Sequence, residues 1–96
     1  MIASFGDQST EAVFHGYPQN LSRRFPADMV RVAVRKLDML NAARTLGDLR
    51  SPLGNRLELL RGNLAGFHSV RVNDQWRVVF RWVGTDAHDV RLIDYH

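Results

Sequence analysis

The sequence has 96 residues, of which 45% are hydrophobic and 24% charged, so it suits one small folded domain rather than a disordered chain. It contains no cysteine, which excludes a disulfide scaffold, a thiolate nucleophile and a cysteine-based metal site. Its 13 basic residues are 12 arginines and Lys36, a bias that suits a phosphate-binding surface but that a GC-rich genome would also produce.

The chain shows no sign of a membrane segment or of an internal boundary. No stretch is long and apolar enough to span a bilayer, and the N-terminus lacks the pattern of a signal peptide. No linker or repeat divides the sequence. We therefore expect residues 1–96 to form a single domain in the cytoplasm, without contact with a membrane.

The first half of the chain predicts two helices. Residues 1–5 suit a short edge strand, and residues 10–15 suit a short helix capped by Thr10. A longer helix is predicted to begin at Pro26 and to end at residues 45–47. Its apolar stripe follows helical spacing and comprises Met29 or Val30, Ala33, Leu37 and Leu40.

The second half changes to a period of two, which is typical of strands. Alternation predicts strands over residues 56–61, 67–72, 75–83 and 88–95. The Asn73-Asp74 pair indicates a hairpin between the second and third of these strands. Helices followed by an antiparallel meander predict an α+β fold with two layers.

The two faces of the predicted sheet differ in character. One face of the third strand carries Trp76, Val78, Phe80 and Trp82, which we expect to lie under the long helix. The opposite face is predicted to carry Arg56, Glu58, Arg71, Arg77, Arg81, Arg91 and Tyr95. This face has the charge of a nucleic-acid surface, although polar residues alternate outward on any half-exposed sheet.

The sequence ends in three side chains that can transfer protons, Asp94, Tyr95 and His96. If Tyr95 shares a face with Arg77 and Glu58, the groups of an RNA-cleaving site are together. Glu58 or His96 would take the proton of a ribose 2′-hydroxyl, an acid would protonate the leaving 5′-oxygen, and arginines would stabilise the phosphorane. Each residue also has an ordinary alternative, as a packing tyrosine, a surface ion pair or a frayed terminus.

Other kinds of site receive little support from the sequence. His15, His68 and His88 have no ligand-like spacing, so no metal site is predicted. The turn that begins at Arg61-Gly62-Asn63 is not a nucleotide-binding motif, and no cofactor is expected.

Three segments and the opening of the chain resemble the HigB-type toxins of the RelE/ParE superfamily of bacterial toxin–antitoxin systems. The segments are RLELLRG at 56–62, GFHSVRVNDQWR at 66–77 and VRLIDYH at 90–96, and the opening is MIASF. The resemblance covers essentially the whole chain, and the NDQWR run together with the final DYH is its most specific part.

This resemblance implies two helices packed on one face of a curved antiparallel sheet. It also implies a metal-independent, ribosome-dependent mRNA endonuclease that cuts in the A site and leaves a 2′,3′-cyclic phosphate. The family's catalytic aspartate, tyrosine and histidine match Asp94, Tyr95 and His96. Its sheet arginine matches Arg77, and its basic residue before the glycine turn, usually lysine, matches Arg61.

The chain departs from the family at two positions. Glu58 stands where several members place a catalytic histidine, and a glutamate in water is a weak base at neutral pH. Glu58 is therefore the base, or it orients an arginine, or it leaves proton transfer to His96. His68 stands where members commonly have tryptophan.

The resemblance further implies partners and leaves two rival functions. The partners are the 70S ribosome with its mRNA and a cognate helix-turn-helix antitoxin of the HigA type, through which alone the chain would meet operator DNA. ParE relatives instead inhibit DNA gyrase by protein contact, and fold alone does not separate the two activities. A non-catalytic RNA-binding module is the third possibility.

Overall fold

The computed structural model describes residues 1–16 and 25–95, which form two α-helices and one antiparallel sheet. The elements are α1 (Gln8–His15), α2 (Ala27–Ala42), β1 (Glu58–Leu59), β2 (His68–Arg71), β3 (Trp76–Val83) and β4 (Asp86–Asp94). The strand order is β1-β2-β3-β4, so each strand pairs with its neighbour in sequence. The predicted α+β class, with helices on one face of an antiparallel sheet, is confirmed. No helix in this part of the chain is long and apolar enough to cross a membrane.

Helix α1 is capped by a different residue from the one predicted. The Asp7 carboxylate accepts a hydrogen bond from the backbone N–H of Thr10 at 2.7 Å, as an N-cap residue does. Thr10 is fully buried instead, and its hydroxyl accepts from the backbone N–H of Leu92 at 2.9 Å. The prediction of Thr10 as the cap is therefore wrong, and this residue ties α1 to β4.

Helix α2 ends earlier than the sequence suggests. Its last residue is Ala42, whereas the predicted end was residues 45–47. Thr45 caps the next turn, a 3₁₀ segment over Leu46–Arg50, by accepting from the backbone N–H of Asp48, while the Asp48 carboxylate accepts from the N–H of Thr45. Because this reciprocal capping box starts a new element, Thr45 does not belong to the end of α2.

The core lies between α2 and one face of the sheet, as the two apolar patterns predicted. The predicted helix stripe is buried, and so are the central residues of β3 on the facing side: Met29, Ala33, Leu37, Leu40, Val78 and Phe80. Trp76 and Trp82 are partly buried and pack at the edge of this core. Each fully buried large apolar side chain contributes roughly 1.5–3 kcal/mol to folding.

The N-terminal residues cover one edge of the sheet. The predicted edge strand over residues 1–5 forms two isolated parallel bridges to β4, Ile2 with Ala87 and Phe5 with Val90. These bridges occupy the outer side of β4. The opposite edge of the sheet is β1, and no other strand of the described residues pairs with its outer side.

Strand β1 is only two residues long, although the alternation predicted a strand over residues 56–61. Arg56 has a left-handed backbone (φ 45°) at the end of a 3₁₀ turn over Leu53–Asn55, so it is not part of the sheet. The buried Asn55 holds this turn to the helix layer: its Oδ1 accepts from Lys36 Nζ at 2.6 Å, and its Nδ2 donates to the Leu49 carbonyl at 3.2 Å.

The second face of the sheet is less open than predicted. Ser69 and Val79 are fully buried on it, and Arg77 is 8% exposed. Arg91 pairs with Val79 across the strands. Its side chain packs over Phe67, with the guanidinium carbon 5.8 Å from the centre of the ring. Long arginine stems can cover apolar surface in this way while the charged end stays near water. The face predicted to be open and to carry the arginines is therefore partly buried.

Candidate functional site

Three of the predicted site residues come together on this second face of the sheet. Glu58 lies on β1 opposite Ser69, Arg77 lies on β3, and Tyr95 directly follows β4. Since side chains alternate across a strand and paired residues point the same way, the observed register puts all three on one face. They are widely separated in sequence, so only the sheet brings them into contact.

Tyr95 is held at the centre of this group. Its backbone N–H donates to the Gln75 carbonyl at 2.6 Å, which extends the β3–β4 pairing to this residue. The Arg77 guanidinium carbon lies 5.5 Å from the centre of the Tyr95 ring, within cation–π range. The Tyr95 hydroxyl lies 3.4 Å from Glu58 Oε1 and donates a long hydrogen bond to it.

Arg77 is a buried cation with spare donor capacity. Its Nη2 donates to the Arg56 carbonyl at 2.6 Å, while its buried Nε has no hydrogen-bond partner among residues 1–16 and 25–95. Burial lowers the pKa of Arg77 from its ordinary value, and the nearby Glu58 and Tyr95 oppose that change. An arginine still stays charged at neutral pH, so this guanidinium is a fixed positive group beside Tyr95.

A shallow cleft opens beside this group, and we call it the β1 cleft. It is lined by Glu58, Leu59, Leu60, Arg61 and Tyr95. Arg61 is exposed at its rim, where it precedes the 3₁₀ turn Gly62–Leu64. Arg56 and Arg71 lie close enough to lower the pKa of Arg77 by charge repulsion, and Arg71 also forms an ion pair with Asp74. With Arg71 paired to Asp74, three further arginines beside one glutamate still make the cleft electropositive, which suits a phosphate backbone.

Three other predicted residues lie away from the β1 cleft. Asp94 pairs in register with Trp76, so it lies on the helix-side face, and it accepts from Gln75 Nε2 at 3.0 Å. Arg81 forms a two-pronged ion pair with Asp89 (2.6 and 2.7 Å) near the other end of β3. Arg91 shares the face of the cleft but lies further along β4, over Phe67. The sequence could not show these separations because each depends on register.

His96 lies outside the described residues, so its predicted role stays a prediction. Sequence reasoning missed Ser69, a fully buried serine directly opposite Glu58 whose hydroxyl has no hydrogen-bond partner among residues 1–16 and 25–95. The available signal was a hydroxyl on the same strand face as Arg71. Within those same two ranges, no three histidine or acidic side chains are grouped so as to hold a metal ion.

The arrangement offers a hydroxyl, a carboxylate and a buried cation within one small area. A carboxylate can accept a proton, a phenol can donate one, and a preorganised guanidinium can stabilise negative charge that develops on a phosphate. The combination suits transfer chemistry at a phosphodiester.

Comparisons with known proteins identify a family. Residues 4–96 match the family model described as the RelE-like toxin of type II toxin-antitoxin system HigB. The chain is 49% identical over 83 residues to Toxin HigB-1 of Vibrio cholerae. This alignment covers 86% of this chain and 85% of the relative. It is 27% identical over 96 residues to Endoribonuclease HigB of Proteus vulgaris, with both chains fully covered.

Solved structures of two bacterial proteins share the fold. The chain is similar to a structure of the YoeB–YefM complex from Staphylococcus aureus, with a TM-score of 0.61 and 20% identity over 100% of this chain and 98% of that one. It is also similar to a mutant of YafQ from E. coli, with a TM-score of 0.59 and 15% identity over 98% of this chain and 93% of that one.

Proposed function

We propose that this chain, which belongs to the HigB-type family of RelE-like toxins of type II toxin–antitoxin systems, is an endoribonuclease that cuts mRNA on the ribosome. The observation that carries the proposal is the contact of Tyr95 with both Arg77 and Glu58. A gyrase inhibitor that acts by protein contact has no need for a phenol between a carboxylate and a buried guanidinium. The activity of the Proteus vulgaris relative, named an endoribonuclease, is in line with this assignment.

The reaction is an internal transfer at one RNA phosphodiester. The ribose 2′-oxygen attacks the adjacent phosphorus, and the bond from phosphorus to the 5′-oxygen of the next nucleotide breaks. The products are a 2′,3′-cyclic phosphate and a free 5′-hydroxyl. One group must take the proton of the 2′-hydroxyl and another must protonate the leaving oxygen, and neither step requires a metal or a covalent intermediate on the protein.

The acid–base groups are assigned to Glu58 and Tyr95, which line the β1 cleft, and to His96, which follows Tyr95 in the sequence. Tyr95 and His96 are the acid–base pair, and Glu58 is the candidate base at the position where relatives carry histidine. The Tyr95 hydroxyl lies 3.4 Å from Glu58 Oε1 and its ring lies beside the Arg77 guanidinium, so the phenol can exchange a proton next to a fixed positive charge. Each acid or base contributes roughly 100- to 10,000-fold in rate.

The arginines bind and stabilise the phosphate. Arg77 is positioned before substrate arrives, because its Nη2 is fixed on the Arg56 carbonyl, and its positive charge acts on a phosphate bound in the cleft. Arg61 is exposed beside the cleft and supplies a second donor. Arg56 and Arg71 add positive charge around the cleft. A preorganised donor of this kind typically contributes 100- to 1,000-fold in rate.

Asp94 has an indirect role in this account. It does not face the β1 cleft, but it accepts a hydrogen bond from the Gln75 side chain, whose backbone carbonyl accepts from the N–H of Tyr95. Asp94 is therefore a positioning residue that holds the end of β3 against the segment carrying Tyr95. The sequence placed Asp94 among the catalytic side chains, whereas here it acts through Gln75 and not at the reacting atoms.

The partners follow from the same assignment. The substrate is mRNA held by the 70S ribosome, and the inhibitor is a cognate antitoxin of the HigA type with a helix-turn-helix domain. The chain would reach operator DNA only through that antitoxin, and the reaction takes place in the cytoplasm, where ribosomes are found. The Staphylococcus aureus YoeB structure, which is a complex with YefM, supports an antitoxin partner for a chain of this fold.

The proposal is tested by primer extension on a reporter mRNA in a purified translation system. Wild-type protein is expected to cut within codons when ribosomes are present and to leave naked mRNA intact. A variant with Arg61→Ala is expected to cut more slowly. A matched Arg44→Ala variant removes an exposed arginine at the far end of α2 and is expected to cut like the wild type.

Intact mRNA in a preparation that arrests growth would contradict the nuclease. A gyrase supercoiling assay then decides for the ParE-like alternative if supercoiling is inhibited. Binding to RNA without any strand scission, lost as salt is raised, would instead indicate a non-catalytic RNA-binding module.

A further inference from the structure

A second depression lies on the helix-side face of β1, and we call it the β1 groove. It runs between β1 and the two 3₁₀ turns that follow α2, and its most exposed apolar side chains are Leu53 and Leu59. Leu53 is 90% exposed and Leu59 is 60% exposed, and they are two of the large apolar residues that the described chain leaves in water. Two such leucines beside one groove are typical of a surface that a partner covers.

The charge of the β1 groove indicates what kind of partner it takes. Arg50 and Arg56 contribute to its lining, and no acidic residue is among the lining residues that the structure describes. Apolar side chains flanked by arginines complement a segment that carries apolar side chains flanked by carboxylates. A second copy of this chain fits poorly, because two grooves facing each other across a twofold axis would bring arginines against arginines.

RNA is also a poor occupant for this groove. Single-stranded RNA is bound by stacking bases on aromatic side chains or on arginine planes. The exposed apolar side chains of the groove, Leu53 and Leu59, are aliphatic and give a base no flat surface to stack on, so RNA would be held there mainly by Arg50 and Arg56. The tyrosine and the buried arginine of the β1 cleft lie on the other face of the sheet.

The two faces of β1 connect the groove to the catalytic cleft. Glu58 points into the β1 cleft, and its neighbour Leu59, which pairs with His68, points to the groove side. A segment seated in the groove would therefore run along the open edge of the strand that carries Glu58. Continuing past that edge, it would lie against Arg61 and block the approach of a phosphate backbone.

We propose that the β1 groove is the docking site for an acidic segment of the cognate antitoxin, with apolar side chains on Leu53 and Leu59 and carboxylates on Arg50 and Arg56. The proposal rests on the toxin–antitoxin assignment and adds to it the surface and the chemistry of the contact. An antitoxin segment bound in the groove would inhibit the toxin by blocking RNA, because the groove adjoins the β1 cleft.

The test uses the antitoxin encoded with this toxin, purified from the co-expressed complex and titrated into the free toxin by calorimetry. Leu53→Asp is expected to weaken binding by at least about tenfold, as loss of an apolar anchor does. Arg50→Glu is expected to weaken binding as well and to reduce its dependence on salt. A matched Val83→Asp variant changes an exposed apolar residue at the end of β3 and is expected to bind like the wild type.

Two further readouts separate the possible outcomes. Thermal unfolding shows whether each variant is folded, and Leu53→Asp is expected to be folded because its side chain is in water. Ribosome-dependent cleavage by free Leu53→Asp is expected to equal that of the wild type. Unchanged antitoxin binding by both Leu53→Asp and Arg50→Glu would overturn the proposal, as would self-association of the wild type that Leu53→Asp abolishes. Because binding is measured without RNA, the binding result can be interpreted even if the protein is not a nuclease.

Discussion

The Tyr95 hydroxyl lies 3.4 Å from Glu58 Oε1, although the two residues are 37 positions apart in the chain. They meet because β1 and the end of β4 lie on either side of Arg77, whose guanidinium carbon is 5.5 Å from the tyrosine ring. The sheet thus places a proton donor, a proton acceptor and a fixed cation next to one shallow cleft. Each of these three side chains can be changed separately.

Tyr95→Phe removes the hydroxyl and keeps the ring that packs beside Arg77. We expect the rate of mRNA cleavage to fall by roughly 100- to 10,000-fold, because an acid–base group is lost. The long contact to Glu58 contributes little to folding, so thermal unfolding and antitoxin binding are expected to stay close to wild type. Single-turnover cleavage on ribosomes and a melting curve measure the two effects. A loss of folding comparable to the loss of activity would make Tyr95 a packing residue.

Arg77→Met replaces the buried guanidinium with an apolar side chain of similar length. Cleavage is expected to fall by roughly 100- to 1,000-fold, since a preorganised donor to the phosphate is lost. Arg77→Lys keeps a positive charge but not the planar fork, so its activity is expected to lie between those of the wild type and Arg77→Met. Denaturant unfolding is the control, because the Arg56 carbonyl loses its partner in the methionine variant. Full activity in Arg77→Met would remove Arg77 from the site.

Glu58→Gln separates a base from an orienting residue. If Glu58 accepts the 2′-hydroxyl proton, the wild-type cleavage rate falls on the acid side of its pH–rate profile as the carboxylate is protonated, and the glutamine variant lacks that limb. The measurement is the single-turnover rate of both proteins from acidic to neutral pH, on preassembled ribosome complexes. If the acid side of the pH–rate profile is unchanged in Glu58→Gln, the titrating group is not Glu58, and the proton transfer is left to His96.

His68 gives folding stability a defined dependence on pH. Burial lowers the pKa of His68 below the ordinary value of 6.5, and its Nδ1 is buried without a hydrogen-bond partner in the described part of the chain. Between the folded-state pKa and 6.5, the unfolded chain binds a proton that the folded chain does not. His68 therefore contributes a decrease in the free energy of unfolding as pH falls through this window.

His68→Phe is the variant that tests this dependence, because a phenyl ring can keep the stacking contact with Phe80 (6.2 Å between ring centres). The difference in unfolding free energy between wild type and variant is measured by urea denaturation at several pH values. We expect the variant to lose less stability than the wild type between pH 8 and pH 5, since it has no group to protonate at this position. Parallel curves would show that His68 does not couple folding to pH.

Local patterns in the sequence were sufficient for much of the fold. The spacing of Met29, Ala33, Leu37 and Leu40 predicted the buried stripe of α2, and the alternation around Phe80 predicted the buried face of β3. Each prediction depends only on the spacing of apolar residues within a single helix or strand, and this spacing can be read from the sequence. The resemblance to HigB-type toxins added the family, which the comparisons confirmed.

The errors arose where a distant residue decides the local structure. Thr10 was predicted as a helix cap, but its hydroxyl is taken by the N–H of Leu92, which is 82 positions away. Residues 56–61 alternate like a strand, yet the buried Asn55 and the left-handed Arg56 leave only two residues to pair. Asp94 belongs to the same Asp-Tyr-His motif as Tyr95, but its side chain points to the other face of the sheet because neighbours in a strand alternate.

The central claim is that the β1 cleft promotes attack by the 2′-hydroxyl on the neighbouring phosphate. The most direct test is the chemical identity of the ends produced when the wild-type protein cuts ribosome-bound mRNA, read by mass spectrometry of the fragments. Attack by the 2′-hydroxyl leaves a 2′,3′-cyclic phosphate on the upstream fragment and a 5′-hydroxyl on the downstream one, and we expect these ends. A 3′-hydroxyl paired with a 5′-phosphate would mean that water is the nucleophile, and it would contradict the roles assigned to Tyr95, Glu58 and Arg77.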